Sequence, residues 1–302
     1  MLKIQYSSLC ENSYYYLIAN RKMQKFKNIT FESYYNKYVK RKLSNYTLRE
    51  ILCGDFQKLL EIQNSIGSKY KSKSNIIKQL FNYDKKSKSF KANTSLFQPK
   101  ISEFIEQNIE VHSCYFCNIE YINKFETSKG EIKNSFTLDH MIDKATYPFL
   151  ALSLYNLIPS CYTCNTKVKG KEEIKKISPS DEKFDFNDKV KFRTFLNNKN
   201  LQIEKNNDFE LLLKEDFSNK YDEYIKTLEL DSRYKYHKDK VIEMINKRRD
   251  YPDSRIKELS DLTKKTQEEI KQDLFGIYLN EDLHKRPLSK LTKDIAEELK
   301  LI

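Results

Sequence analysis

The sequence predicts a mainly α-helical chain carrying a small α+β insertion, and three observations lead there. Glycine and proline are scarce, 5 and 6 in 302 residues, which favours long helices over a sandwich of many short strands. Apolar residues recur at helical spacing on both sides of a central stretch. From Cys114 to about residue 170 the pattern changes abruptly to short apolar runs, turns and two Cys-x-x-Cys pairs.

In chain order, the clearest helical spacing of the first 64 residues is Leu48, Ile51, Leu52, Phe56, Leu59 and Leu60. A Ser/Lys-rich stretch follows from residue 68 to 95, with Lys69, Lys71, Lys73, Lys85, Lys86, Lys88 and Lys91 against a single acid, Asp84. It reads equally as a solvated loop or as a segment lying along a nucleic-acid backbone. Residues 101–113 read as a helix leading into the first cysteine pair. Beyond Pro179 the chain reads as helical again. One helix stops before Pro252, and the next carries Ile256, Leu259, Leu262, Ile270 and Leu274. The last is amphipathic, with Ser289 or Thr292 as its cap. The expected organisation is a basic helical region over 1–110, a core over 111–178 and a helical region over 179–302.

Charge is unevenly placed. Of the net +12, residues 1–110 carry +11, from 20 basic and 9 acidic side chains, while 111–178 carry +2 and 179–302 carry −1. Abundant Lys, Asn, Ile and Tyr resemble the output of an AT-rich genome, but codon bias would spread lysine more evenly. A localised basic surface suits a polyanionic partner. No apolar run is long enough to span a bilayer and no secretion signal is visible, so the expectation is a cytoplasmic protein without a membrane partner.

Four of the six cysteines form the pairs Cys114/Cys117 and Cys161/Cys164. Two such pairs complete a closed four-thiolate shell, the pattern of structural Zn²⁺. The alternative is four reduced thiols without metal. The 43 residues between the pairs exceed the gap of a simple zinc ribbon, so a folded piece is nested inside. Cys10 and Cys53 lack a partner pattern and read as buried small hydrophobes.

The nested piece contains Leu138-Asp139-His140, then Asn156-Leu157, then Cys164-Asn165 followed by Lys167 and Lys169. In this order and spacing the segment from Cys114 to about Lys171 resembles the HNH endonuclease family, whose ββα-metal motif is often bracketed by two Cys-x-x-Cys pairs. The resemblance covers about a fifth of the chain. It implies an endonuclease in which His140 is the general base, as a neutral imidazole near pH 7 can be. Asp139 and Asn165 would hold catalytic Mg²⁺ or Mn²⁺, and Asn156 would fix the loop that aims His140. Lys167 and Lys169 would contact flanking phosphates. His112, His237 and His284 receive no role, and Asp143 and Lys144 read as solvated loop charges. The chain departs from the family twice: Asn165 stands where the third letter is often His, and Asp143 where proline often follows the catalytic His.

Helical flanks around such a core look similar to nucleases of bacterial antiphage defence, Septu-type and retron-associated ones included, which associate with an ATPase. The expected partners are therefore double-stranded DNA and an ATPase protein, with a homo-oligomer as a further option. Two alternatives stand beside DNA cleavage: an RNA-cleaving toxin of the same fold, and a non-catalytic zinc-stabilised DNA-binding module. The Asp139, His140 and Asn165 set argues against the second, since binding alone does not require it.

Overall fold

A computed structural model describes the chain except residues 2, 24–27, 73, 74, 84–96, 110, 111, 171, 173, 175, 198–202, 217, 279 and 280, and the side chain of Phe97. Lys73, Lys85, Lys86, Lys88 and Lys91 thus lie outside the described residues. The fold is mainly helical with small antiparallel sheets. The chain divides into two compact units, one of residues 3–116 and 122–184, the other of residues 1–2, 117–121 and 185–302.

The larger unit begins with α1 (Ser8–Ala19), α2 (Phe31–Tyr38), α3 (Leu48–Cys53), α4 (Phe56–Ile66), α5 (Ile76–Leu80) and α6 (Phe97–Ile109). Side-chain caps set their starts. Ser7 accepts from Cys10 N–H and Thr30 from Ser33 N–H. The apolar pattern from Leu48 to Leu60 reads as continuous but is split in two. Thr47 and Glu50 form a capping box for α3, and Asp55 caps α4 through Lys58 N–H, so each half begins on its own satisfied N-terminus. Buried faces of these helices, including Tyr14, Ile18, Phe31, Tyr35, Leu52, Leu59 and Ile62, form the core.

The insertion then follows. β1 (Lys124–Glu126) pairs with β2 (Ile132–Asn134), and β3 (Thr137–His140) pairs antiparallel with β4 (Leu157–Ser160), with Asp139 opposite Ile158 and His140 opposite Leu157. A one-and-a-half-turn π-helix, Thr163–Val168, follows β4 directly. Short π segments are rare and recur at functional sites.

The smaller unit holds α7 (Phe186–Lys189), the hairpin β5 (Val190–Leu196) and β6 (Phe209–Glu215), and α8 to α13 (Asp222–Thr227, Leu230–Tyr234, Lys238–Asp250, Asp253–Thr263, Gln267–Phe275 and Ser289–Glu298). The hairpin is an addition to the expected all-helical region. Its period-2 burial, with Val190, Phe192, Phe209, Leu211 and Leu213 inward, is the strand signature. The pattern from Ile256 to Leu274 also divides, at Lys264 in the left-handed conformation (φ 60°), with a Thr266/Glu269 capping box opening α12. Leu262, expected inside, is exposed. Neither Ser289 nor Thr292 caps α13. Leu288 occupies the cap position at φ 59°, and the Ser289 hydroxyl instead bonds Asn118 Oδ1.

Candidate active site and metal centre

Cys114, Cys117, Cys161 and Cys164 are all buried, and their sulfurs lie within 4.8 Å of one another. A tetrahedral zinc with ~2.3 Å bonds would set its sulfurs about 3.8 Å apart, so this cluster is compatible with a structural metal. Backbone N–H groups point at the sulfurs, from Cys161 to Cys114 Sγ at 3.2 Å, from Cys164 to Cys161 Sγ at 3.4 Å and from Ile119 to Cys117 Sγ at 3.4 Å. Such donors stabilise thiolate and orient it. Asn118 turns the first knuckle with φ 53°. Cys10 is buried and Cys53 half-buried. Burial pushes their thiols up to about 11 and about 12, which leaves them protonated and unreactive.

The residues between the cysteine pairs converge at the end of β3. His140 is buried, and its Nε2 lies 2.9 Å from the Ala151 carbonyl oxygen. A carbonyl only accepts, so Nε2 carries the proton and the lone pair of the neutral ring is on Nδ1. Tyr83 packs edge-on against the imidazole, centroids 4.8 Å apart at 85°, and Lys144 Nζ stands 5.0 Å from the Tyr83 ring.

Asn156 is fully buried and clamps the loop that follows His140. Its Oδ1 accepts from Ile142 N–H at 2.7 Å, and its Nδ2 donates to the carbonyls of Ile142 (3.1 Å) and Leu150 (2.9 Å). Its own carbonyl accepts from Met141 N–H. Asp143 closes the turn beyond by accepting from Ala145 N–H and from the N–H and hydroxyl of Thr146. Burial works to raise the Asp143 carboxyl, but these hydrogen bonds, helped by His140, hold it below its ordinary range.

Asp139 Oδ1 accepts from His140 N–H at 2.9 Å, and Oδ2 lies 2.9 Å from Lys169 Nζ. Both partners of that ion pair are buried. Burial raises the Asp139 carboxyl above its ordinary range, against the opposing pull of Lys169, the His140 N–H and Lys144. Asn165 donates from Nδ2 to Thr137 Oγ1 at 2.8 Å. Thr137 and Asp139 are two apart on β3 and so share one face, roughly 7 Å apart along the strand. The helical turn therefore brings Asn165 and Lys169, four residues apart, over the same strand face. Lys167 is exposed.

Asp139, His140, Asn156 and Asn165 thus fall into one neighbourhood of the larger unit. Lys169 stands apart from the expected phosphate contact, since it is buried against Asp139. Tyr83, Lys144, Thr137 and the Ala151 carbonyl are contributors that motif reading missed. Lys144 had a signal, four residues after His140, whereas Tyr83 lies 57 residues upstream with nothing local to mark it. One carboxylate and one carboxamide form a hard-oxygen donor pair, and a cation at Asp139 Oδ2 would take the place of the Lys169 ammonium. Among the described residues the four cysteines form the one cluster of three or more His, Cys, Asp or Glu ligands. Compared with models of known families, curated proteins and solved structures, the chain matches none.

Proposed function

We propose that the protein is a metal-dependent HNH-type endonuclease that hydrolyses DNA phosphodiesters, with a structural Zn²⁺ at Cys114, Cys117, Cys161 and Cys164. The observation that carries the reading is His140, whose Nε2 is committed to the Ala151 carbonyl beside a buried carboxylate. That bond assigns the lone pair to Nδ1, so the ring can take a proton from a water nucleophile. Asn156 holds the loop from 141 to 156, so the imidazole is aimed before substrate arrives. Asp139 and Asn165 would hold Mg²⁺ or Mn²⁺, which when bound supplies Lewis-acid stabilisation of charge on the phosphate. Lys167, exposed on the adjoining turn, suits a flanking phosphate.

A role in bacterial antiphage defence, with an ATPase partner, rests on the resemblance of the helical flanks alone. The residues also accommodate RNA, since the site addresses a phosphodiester rather than a base. Among the described residues no helix is long and apolar enough to cross a membrane. The test is incubation of zinc-loaded protein with supercoiled plasmid and, separately, tRNA, in Mg²⁺ or EDTA. Plasmid nicking that requires Mg²⁺ is expected. Cleavage of tRNA alone moves the reading to the RNA-cutting toxin, and tight DNA binding without turnover moves it to the binding module.

A further inference from the structure

We propose that a row of cations running from the end of α2 through Lys69, Lys71 and Lys78 is a track for a nucleic-acid backbone, leading the strand to His140. What the track delivers rests on the nuclease reading, whereas the surface stands on its own contacts.

The row begins at the short 3₁₀ turn Lys40–Leu43, which follows α2 almost directly. Leu43 is buried and anchors the turn, while Arg41 and Lys42 are exposed and Lys40 half-exposed. The Tyr70 hydroxyl donates to the Lys42 carbonyl at 2.5 Å. That bond places Lys69 and Lys71, both exposed, beside the turn. Lys78 then bridges onward, with its Nζ donating to the carbonyls of Lys71 at 2.9 Å and Ala145 at 3.2 Å. Ala145 adjoins Lys144, whose ammonium stands over the Tyr83 ring, and Tyr83 packs on the His140 imidazole. A continuous series of contacts thus joins the basic turn to the candidate general base, all inside the larger unit.

Among the described residues, the charges of this row lack an acidic partner. Among the described residues no carboxylate lies within ion-pair distance of Lys40, Arg41, Lys42, Lys69 or Lys71. Many cations of the smaller unit are paired, as in Lys220–Asp185, Lys247–Glu243, Arg248–Asp253, Lys265–Asp273 and Arg286–Glu281. Lysine abundance alone therefore does not account for the row. Clustered like charges repel and cost stability unless a polyanion neutralises them. A membrane-binding face would add large apolar groups that enter the lipid boundary. Here the interleaved aromatics are Tyr38 and Tyr70, the latter holding the Lys42 carbonyl. A row whose contacts lead to an imidazole fits a phosphodiester strand better than a lipid surface.

The test measures binding of a fluorescently labelled DNA duplex, and of an RNA duplex of the same sequence, by anisotropy with Ca²⁺ replacing Mg²⁺. The variants are the triple Lys40→Glu/Arg41→Glu/Lys42→Glu and the double Lys69→Glu/Lys71→Glu, with Lys226→Glu/Lys257→Glu, exposed on the smaller unit, as a control matched in charge to the double. Melting curves confirm folding. For the track variants affinity should fall about tenfold or more, with the slope of log K against log salt shallower by about 0.9 per lost phosphate contact. The control should bind like the parent protein. Hydrolysis of bis(p-nitrophenyl) phosphate, which needs the site but not the track, should be unchanged. Track variants that bind both duplexes like the parent or like the control overturn the proposal. A parent protein that binds DNA through the row but hydrolyses no diester contradicts the nuclease reading and leaves the track standing.

Discussion

Each unit of the molecule buries a lysine–aspartate pair, and the two pairs are built differently. In the smaller unit Lys290 and Asp294, one turn apart on α13, are fully buried. Lys290 Nζ reaches both Asp294 oxygens and the Asn187 carbonyl, while Asp294 Oδ2 also accepts from Phe192 N–H and Lys191 stands 3.6 Å away. Burial pushes the Lys290 ammonium down to about 8, with Asp294 opposing. In the larger unit Asp139 meets Lys169 through one oxygen, and its carboxyl is raised. A buried pair with its bonding capacity filled holds a helix to a hairpin. Under the proposed function, the one left partly served sits where a cation or substrate would act.

That contrast breaks or sharpens under mutation, and the largest effect is expected at the cysteine clasp. Structural zinc contributes folding free energy outright. Cys161→Ser or strong chelation should therefore abolish stoichiometric zinc by elemental analysis and melt the segment between the cysteine pairs, as followed by proteolysis. Retention of both zinc and protease resistance would remove the clasp from the account. Next is Asp294→Asn, which strands the buried Lys290 ammonium and should cost about 3–5 kcal/mol in denaturant unfolding. Asn156→Ala removes three buried hydrogen bonds and should cost about 2–4 kcal/mol, with loss of turnover because the His140 loop is released. Asp139→Asn also strands a buried ammonium, that of Lys169, but it starts from a carboxyl whose surroundings already disfavour the charge, so it should cost less than Asp294→Asn and yet abolish turnover. Equal losses for Asp139→Asn and Asp294→Asn would erase the distinction.

The smallest effect is a pH dependence at Asp143. Its folded pKa lies below the unfolded value, so its contribution is fully present above the unfolded pKa of about 3.9 and is lost as pH falls through the folded value. The carboxylate is only partly buried and solvent screens it, so the effect should be slight. Asp143→Asn should be less stable than the parent at pH 6, with the gap closing towards pH 3 in thermal melts. A gap unchanged at pH 3 would show that the turn does not depend on the charge.

Local chemistry made much of this legible in advance. The Cys-x-x-Cys spacing is a short-range signature, and the four sulfurs do converge. The stop before Pro252 followed from proline, and the helix expected over 101–113 is found at Phe97–Ile109, sharing residues 101–109 with the expectation. What stayed hidden depended on tertiary contacts or on a second period. The breaks at Gly54 and Lys264 lie inside uninterrupted apolar patterns and are set by the caps Asp55 and Thr266. The β5–β6 hairpin alternates inside a region whose flanks are helical. Lys169 read as a surface cation because sequence shows charge but not burial, and Tyr83 reaches His140 only through the fold. Two of the seven lysines singled out in the Ser/Lys-rich stretch, Lys69 and Lys71, fall among the described residues, and both lie on the basic row.

The most direct single measurement compares the plasmid-nicking rate of His140→Ala with that of the parent protein, both zinc-loaded and in Mg²⁺, after matching their melting curves. Loss of a general base should slow nicking by about 10²–10⁴-fold while zinc content and DNA affinity stay the same. Nicking at the parent rate in the folded, zinc-loaded variant would contradict the assignment of the reaction to this imidazole.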